Sequence, residues 1–292
     1  MHATGPLRSV GDLLRDWRQR RRVTQLELAY DAGISPKHVS FLETGRAQPS
    51  RDMILRLAER LDLPLRDRNT LLVAAGYAPS FPERPFTDPA LAAVRHAIDA
   101  VLAGHEPYPA IAINRHWTLL AANRPVRQLW NQLVDPELLR PPLNVLRVTL
   151  HPRGLAPHIA NYAEWRAHAI AKLGRQVDVS GDSVLAELLR ELRLYPAPPG
   201  VRVIPESTTE ADREKIRHPG IVLPFQLTTG AGLLSFLSTT TVFGTPIEIT
   251  LSELSIEAFY PADATTADAL RALAANLDDA GASVAASRLP AR

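Results

Sequence analysis

Four side chains with recognition chemistry open one short helix: Pro36, Lys37, His38 and Ser40. Val39 and Leu42, at three-residue spacing, turn the other face of that helix inward, so these four are left to face outward. An ammonium at such a position can donate to guanine O6 and N7, and an imidazole can reach a base edge or a phosphate. Gln25 begins the preceding helix, where its amide and the helix N-terminus can hold a phosphate. Arg46 and Gln48 follow in a loop and suit backbone contacts. The partner this chemistry fits is double-stranded DNA.

Bond-making chemistry is absent from the pattern. There is no GxSxG elbow, no P-loop and no glycine-rich dinucleotide fingerprint, and carboxylates are scattered rather than paired. No enzyme is expected, and no cofactor is required. The 9 histidines show no close metal-ligand spacing, so no metal site is expected. His151 and His218 each precede a proline, which suggests turns tied by a ring nitrogen. With 0 cysteines, disulfides and thiolate chemistry are excluded.

The elements that must position these residues follow from pattern. Gln25 to Ala32 and Pro36 to Glu43 read as two helices, with Thr24 and Ser35 as N-caps. Gly33 supplies the turn between them, where a positive φ is needed. Ala29 lets the helices approach, and Val39 seals their angle. Flanking helices over 12–22, 50–61 and 67–75 complete a five-helix domain, with Arg15, Arg18, Arg20, Arg21 and Arg22 facing outward. The expected organisation is a DNA-binding domain over 9–76, a proline-punctuated linker over 77–85, a second domain over 86–278 and a frayed tail over 279–292.

The second domain mixes helices and strands. A helix begins at Pro89, with Leu91, Val94, Ile98 and Leu102 as its buried stripe. A hairpin over 110–114 and 118–123 follows, then a helix opened by Pro125. A long helix runs from Pro157 to Leu173 and ends at Gly174, and Asp182 caps the next. Strands are expected over 221–228, 233–242 and 256–260, and a closing helix over 264–277.

At 292 residues with 46% hydrophobic and 22% charged side chains, two packed domains are within reach. The net charge of +2 is uneven: residues 1–77 carry 13 Lys+Arg against 9 Asp+Glu, and the remainder 20 against 22. That places a basic face on the first domain. No signal-peptide core and no run of membrane-spanning length appear, so a cytoplasmic protein is expected.

Residues 9–75 resemble the phage-repressor-like, or XRE-type, helix-turn-helix domain. The resemblance rests on the Ala29, Gly33 and Val39 triplet and the order of helices around it. The whole chain resembles the MmyB-like transcription regulators, which join such a domain to a PAS-like ligand-binding domain. The segments that carry this are NRHWTLLAAN at 114–123, NVLRVTLHPRGL at 144–155, NYAEW at 161–165, IRHPGIVLPFQL at 216–227 and FYPADATTADAL at 259–270. The resemblance implies a multidomain regulator, with an N-terminal all-α five-helix domain and a C-terminal α+β PAS-like domain. It also implies a small hydrophobic ligand, a long-chain fatty acid.

Candidate ligand residues follow from that implication. Asn161, Trp165 and His168 share one helical face, with Tyr162, Ala169, Ile170 and Leu173 left for the core. Asn161, Arg147 and His168 are candidate donors to a carboxylate, although Arg147 equally suits an ion pair with a local Asp or Glu. Trp117, Trp130, Trp165, Leu223, Phe225 and Phe236 are candidates to line a dry tunnel, although the core is the commoner place for a tryptophan such as Trp165. A homodimer is expected, since one such helix reads only a few base pairs. Two other readings remain open: a second domain that serves only dimerisation, or an enzyme acting on a lipid-like molecule.

Overall fold

The computed structural model describes residues 8–204, 223–243 and 248–286, with the side chains of the last helix described as far as position 275. The chain divides into two units. The first is Met1–Pro85 with Phe243–Glu253, and the second is Phe86–Val242 with Leu254–Arg292.

The first unit is helical: α1 (Val10–Arg20), α2 (Gln25–Ala32), α3 (Pro36–Glu43), α4 (Arg51–Arg60) and α5 (Leu65–Ala74). Leu28, Ala29, Val39, Leu42, Leu57 and Leu72 close its core, each at most 1% exposed. Ala29 and Val39 are both at 0%, as a tight helix-turn-helix angle requires. Gly11 lets α1 reach the end of α3: a Cβ there would stand 2.5 Å from the Leu42 carbonyl oxygen.

A later stretch of chain completes this unit. The short helix α11 (Ile249–Ser252) buries Ile249 to 2% exposure. Its Ile249 N–H donates to the Pro82 carbonyl at 2.9 Å. Thr250 Oγ1 donates to the Arg84 carbonyl at 2.6 Å. Arg66 holds Glu253 at 2.8 and 3.0 Å and also pairs with Glu83, and Arg84 pairs with Glu248. The sequence reading had placed these residues with the second domain.

The second unit is α+β. In chain order it contains α6 (Ala92–Gly104), β1 (Ala110–Ile113), β2 (Leu119–Ala122), α7 (Arg124–Leu133), α8 (Val145–Leu150), α9 (Tyr162–Ser180) and α10 (Ser183–Leu194). Then come β3 (Phe225–Thr229), β4 (Gly232–Val242), β5 (Ser255–Pro261) and α12 (Ala264–Ala286). The strands form one sheet in the order β2-β1-β5-β4-β3, and every neighbouring pair is antiparallel. The α+β expectation holds, with the hairpin β1–β2 at one edge and β3 at the other.

Three expected helix ends differ clearly. Gly174 lies inside α9, which runs to Ser180 and ends at Gly181 with φ 65°. An interior glycine costs about 1 kcal/mol relative to alanine. The burial of Ile170 at 3% and Leu173 at 0% just before it outweighs that cost. Pro157 sits in a separate turn of 3-10 helix, Ala156–His158, rather than opening α9. The last helix continues to Ala286, and the expected strand positions 221–222 and the His218 turn lie outside the described residues.

Candidate functional site

The surface expected to face DNA is built by capping. Thr24 Oγ1 accepts from the Glu27 N–H at 3.1 Å, and the Glu27 carboxylate accepts from the Thr24 N–H at 2.7 Å. These reciprocal bonds fix the start of α2. Gly33 ends α2 with φ 66°, where a side chain would be strained. Ser35 then caps α3, its Oγ accepting from the His38 N–H at 3.2 Å, with Pro36 in the first turn. Pro36 and Lys37 are exposed on the first turn, His38 and Ser40 are half-buried, and Arg46 and Gln48 are exposed in the loop beyond. Phe41 steadies two cations, with Lys37 Nζ at 5.5 Å and Arg46 Cζ at 5.9 Å from its ring centre.

Beneath this surface lies a network that the sequence reading missed. Glu43, the last residue of α3, is 2% exposed. Arg18 donates to it through Nε at 2.6 Å and Nη2 at 2.9 Å, and Gln25 Nε2 donates at 2.8 Å. Arg15 stands 3.7 Å away and donates to the Glu43 backbone carbonyl at 2.9 Å. Arg18, expected outward, therefore turns inward, because a buried carboxylate without a partner is very costly. Gln25 is tied to the same group. Burial pushes the Glu43 carboxyl up, but its bonds from Arg18 and Gln25 and the charges of Arg18 and Arg15 outweigh this and hold it below the usual range. A glutamate at the end of an otherwise apolar helix face was the available signal.

The second unit encloses a cavity of about 90 Å³ between the sheet and helices α7, α8 and α9. Strand register builds one wall. Ile111 opposes Glu257, Ser238 opposes Phe259, and Phe225 opposes Phe236, and directly opposed residues point to one face. All six line the cavity. Trp165, His168, Ala169 and Lys172 line it from α9, at the spacing of one helical face. Trp165 and Phe225 are the closest ring pair in the wall, at 4.7 Å between centres.

Trp117 enters from the β1–β2 hairpin at φ 63°, in the left-handed region that a bulky residue rarely adopts. Its surroundings fix it there. The Trp117 N–H donates to the Asn114 carbonyl at 3.0 Å, its carbonyl accepts from the Val145 N–H at 2.9 Å, and its Nε1 donates to Gln176 Oε1 at 2.8 Å. Such strain costs about 1–3 kcal/mol and persists only where neighbours over-determine it. The ring it aims into the cavity carries the Lys172 ammonium 4.7 Å from its centre.

The structure thus brings Trp117, Trp130, Trp165, His168, Phe225 and Phe236 to one cavity. Three other candidates lie elsewhere. Arg147 pairs with Glu191 at 2.8–3.1 Å, the local ion pair that its sequence context also allowed. Asn161 is consumed by backbone, with Nδ2 donating to the Pro224 carbonyl at 2.8 Å and Oδ1 accepting from the Gln226 N–H at 3.2 Å. It joins the start of α9 to β3. Leu223 is half-buried and does not line the cavity. Lys172 and Glu257, both in the wall, were not singled out from sequence, though Lys172 continues the Trp165–His168 face one turn further. The expected role for His151 is met: its Nδ1 accepts from the Arg153 N–H at 3.0 Å.

Among the described residues, no helix is long and apolar enough to cross a membrane. Residues 9–71 match the family described as a helix-turn-helix domain. Residues 94–273, more than half of the chain, match the MmyB-like transcription regulator ligand binding domain. The chain is also similar to multiprotein-bridging factor 1 of Candida albicans. That likeness is 34% identity over 61 residues, covering 21% of this chain and 40% of that protein. These families comprise DNA-binding and ligand-binding domains, not enzymes. The chain belongs to the MmyB-like transcription regulators, with a helix-turn-helix DNA-binding domain ahead of a small-molecule ligand-binding domain.

Proposed function

We propose that this regulator reads duplex DNA as a homodimer in the cytoplasm and that its second unit senses a long-chain fatty acid. The observation that carries the ligand reading is the cavity itself. Aromatic and aliphatic side chains form most of its wall, and among its described lining residues Lys172 is the one lysine or arginine. An acyl chain gains about 0.8 kcal/mol for each methylene removed from water, so apolar walls suffice for tight binding. Its carboxylate needs a donor or water, because an unpaired buried charge is very costly.

At about 90 Å³ the cavity is smaller than the ~150 Å³ cavities that hold benzene. A long chain must therefore part the rings, and binding in this reading moves the walls contributed by α9 and β3. A ligand that favours one arrangement of those walls can bias the protein's DNA affinity only through that difference.

Dimerisation doubles the few base contacts that one α3 can make. The test is to select bound duplexes from a random pool, then titrate the preferred duplex with and without palmitic acid. The reading expects a defined sequence preference and a severalfold change in affinity on adding the acid. Absence of any preferred sequence would remove the DNA role, and an unchanged affinity would remove the sensing role.

A further inference from the structure

The polar end of the cavity has a composition that an acyl site does not need for its walls. Lys172 Nζ donates to Glu257 Oε1 at 2.8 Å and rests on the face of Trp117. The Lys172 side chain is 34% exposed and the Glu257 side chain 11%. Both border the cavity, as do Ser238 and His168. Thr149 also borders it, but its hydroxyl is spent on the Val145 carbonyl at 2.8 Å. An ammonium has three N–H donors. One goes to Glu257 and the Trp117 face takes the cation broadside, so donor capacity remains toward the cavity.

We propose that Lys172 is the head-group residue of this cavity and Glu257 its internal competitor, so that the site selects an amphiphile with an anionic head. The proposal rests on reading the cavity as an acyl site and names how that site reads its ligand. With the cavity empty, Glu257 neutralises the Lys172 cation, which is itself partly open to solvent. A carboxylate arriving at the mouth offers Lys172 the same chemistry. The ammonium is a point charge on a flexible stem, so it can turn from one carboxylate to the other without leaving the Trp117 face. The strained Trp117 backbone has a role in this arrangement: it supplies a platform that keeps the cation in place whichever anion it serves. Glu257 then sets the threshold, because its charge opposes any second anion.

The test compares palmitic acid with cetyl alcohol, which has the same chain and a neutral head. Binding is measured by calorimetry on the delipidated full-length protein. The wild type should prefer the acid by on the order of tenfold, the scale of one charge-assisted hydrogen bond. Lys172→Met keeps the stem on Trp117 and removes the charge, so the preference should vanish while alcohol binding persists. Lys172→Arg should retain the preference. Glu257→Gln should strengthen acid binding and leave alcohol binding nearly unchanged. An acid-to-alcohol ratio that Lys172→Met does not alter would overturn the head-group assignment, and weaker acid binding in Glu257→Gln would overturn the competitor. If the wild type binds neither compound, the acyl reading beneath the proposal fails with it.

Discussion

Each unit buries a carboxylate against a cation, and the two pairs are used differently. In the first unit the Glu43 side chain is 0% exposed, and Arg18 beside it 12%. Its oxygens are taken by Arg18 and Gln25, and nothing is left to bind. In the second unit the Lys172–Glu257 pair stands at the wall of a cavity, and the cation is 34% exposed. A satisfied internal pair ties α1 and α2 to the end of α3 and so fixes the surface proposed to meet DNA. A pair with space beside it can exchange partners. The difference separates a rigid reader from an adaptable pocket, and it can be attacked from both sides.

The largest expected effect lies in the closed pair. Glu43→Ala strands Arg18 and should cost the first unit about 3–5 kcal/mol in urea unfolding, as for other broken buried pairs. Glu257→Gln, beside solvent and a cavity, should cost under about 1 kcal/mol. Equal costs would erase the distinction. The Glu43 pair also has a pH signature. Its carboxyl lies below the usual range when folded, so the stabilisation is present at neutral pH and is lost as pH falls through that depressed value. Glu43→Ala should flatten the acid limb of the stability curve.

A smaller effect concerns how the rigid unit is completed. Residues 1–85 produced alone lack Ile249, which is 2% exposed, and the Glu253 partner of Arg66. They should be about 1.5–3 kcal/mol less stable than the same unit in the full chain, from the isoleucine burial alone. Denaturant curves followed through Trp17, the tryptophan of that unit, would show it. Smaller again are the contacts on the reading face. Lys37→Ala should lose about 1–3 kcal/mol of sequence discrimination, while Arg46→Ala should weaken all duplexes alike and lower the salt slope by about one unit. Parent-like binding by both variants would displace the recognition helix. A last prediction concerns the cavity wall. Ala169→Leu adds volume at the cavity wall and should cost about 1–3 kcal/mol, yet it should block an added fatty acid in calorimetry.

How much of this was legible follows the same division. The first unit is governed by local rules: Thr24 and Ser35 cap, Gly33 turns with φ 66°, and Ala29 and Val39 pack. Each acts within a few residues, so sequence shows it. Glu43 bonded to Arg18, 25 positions away, does not announce itself. In the second unit the Trp165–His168 stripe was legible as helical spacing, and the Phe225 and Phe236 walls as strand composition. Lys172 and Glu257 were not, because 85 positions separate them and only the packing of a helix residue against a strand residue brings them together. Asn161 and Arg147 had the chemistry of ligand donors, but backbone groups at Pro224 and Gln226 and the Glu191 carboxylate claim them first. Spacing reports a shared face and does not report which partner arrives there.

The central claim is that the cavity of the second unit holds an acyl ligand, and thermal melting before and after delipidation addresses it most directly. A ligand that binds only the folded state stabilises it by about 2.7 kcal/mol at a hundredfold excess over Kd. The account predicts that solvent-extracted protein melts lower than the protein as purified and that palmitic acid restores the transition. It would be contradicted if extraction released no lipid and no added fatty acid moved the melting curve.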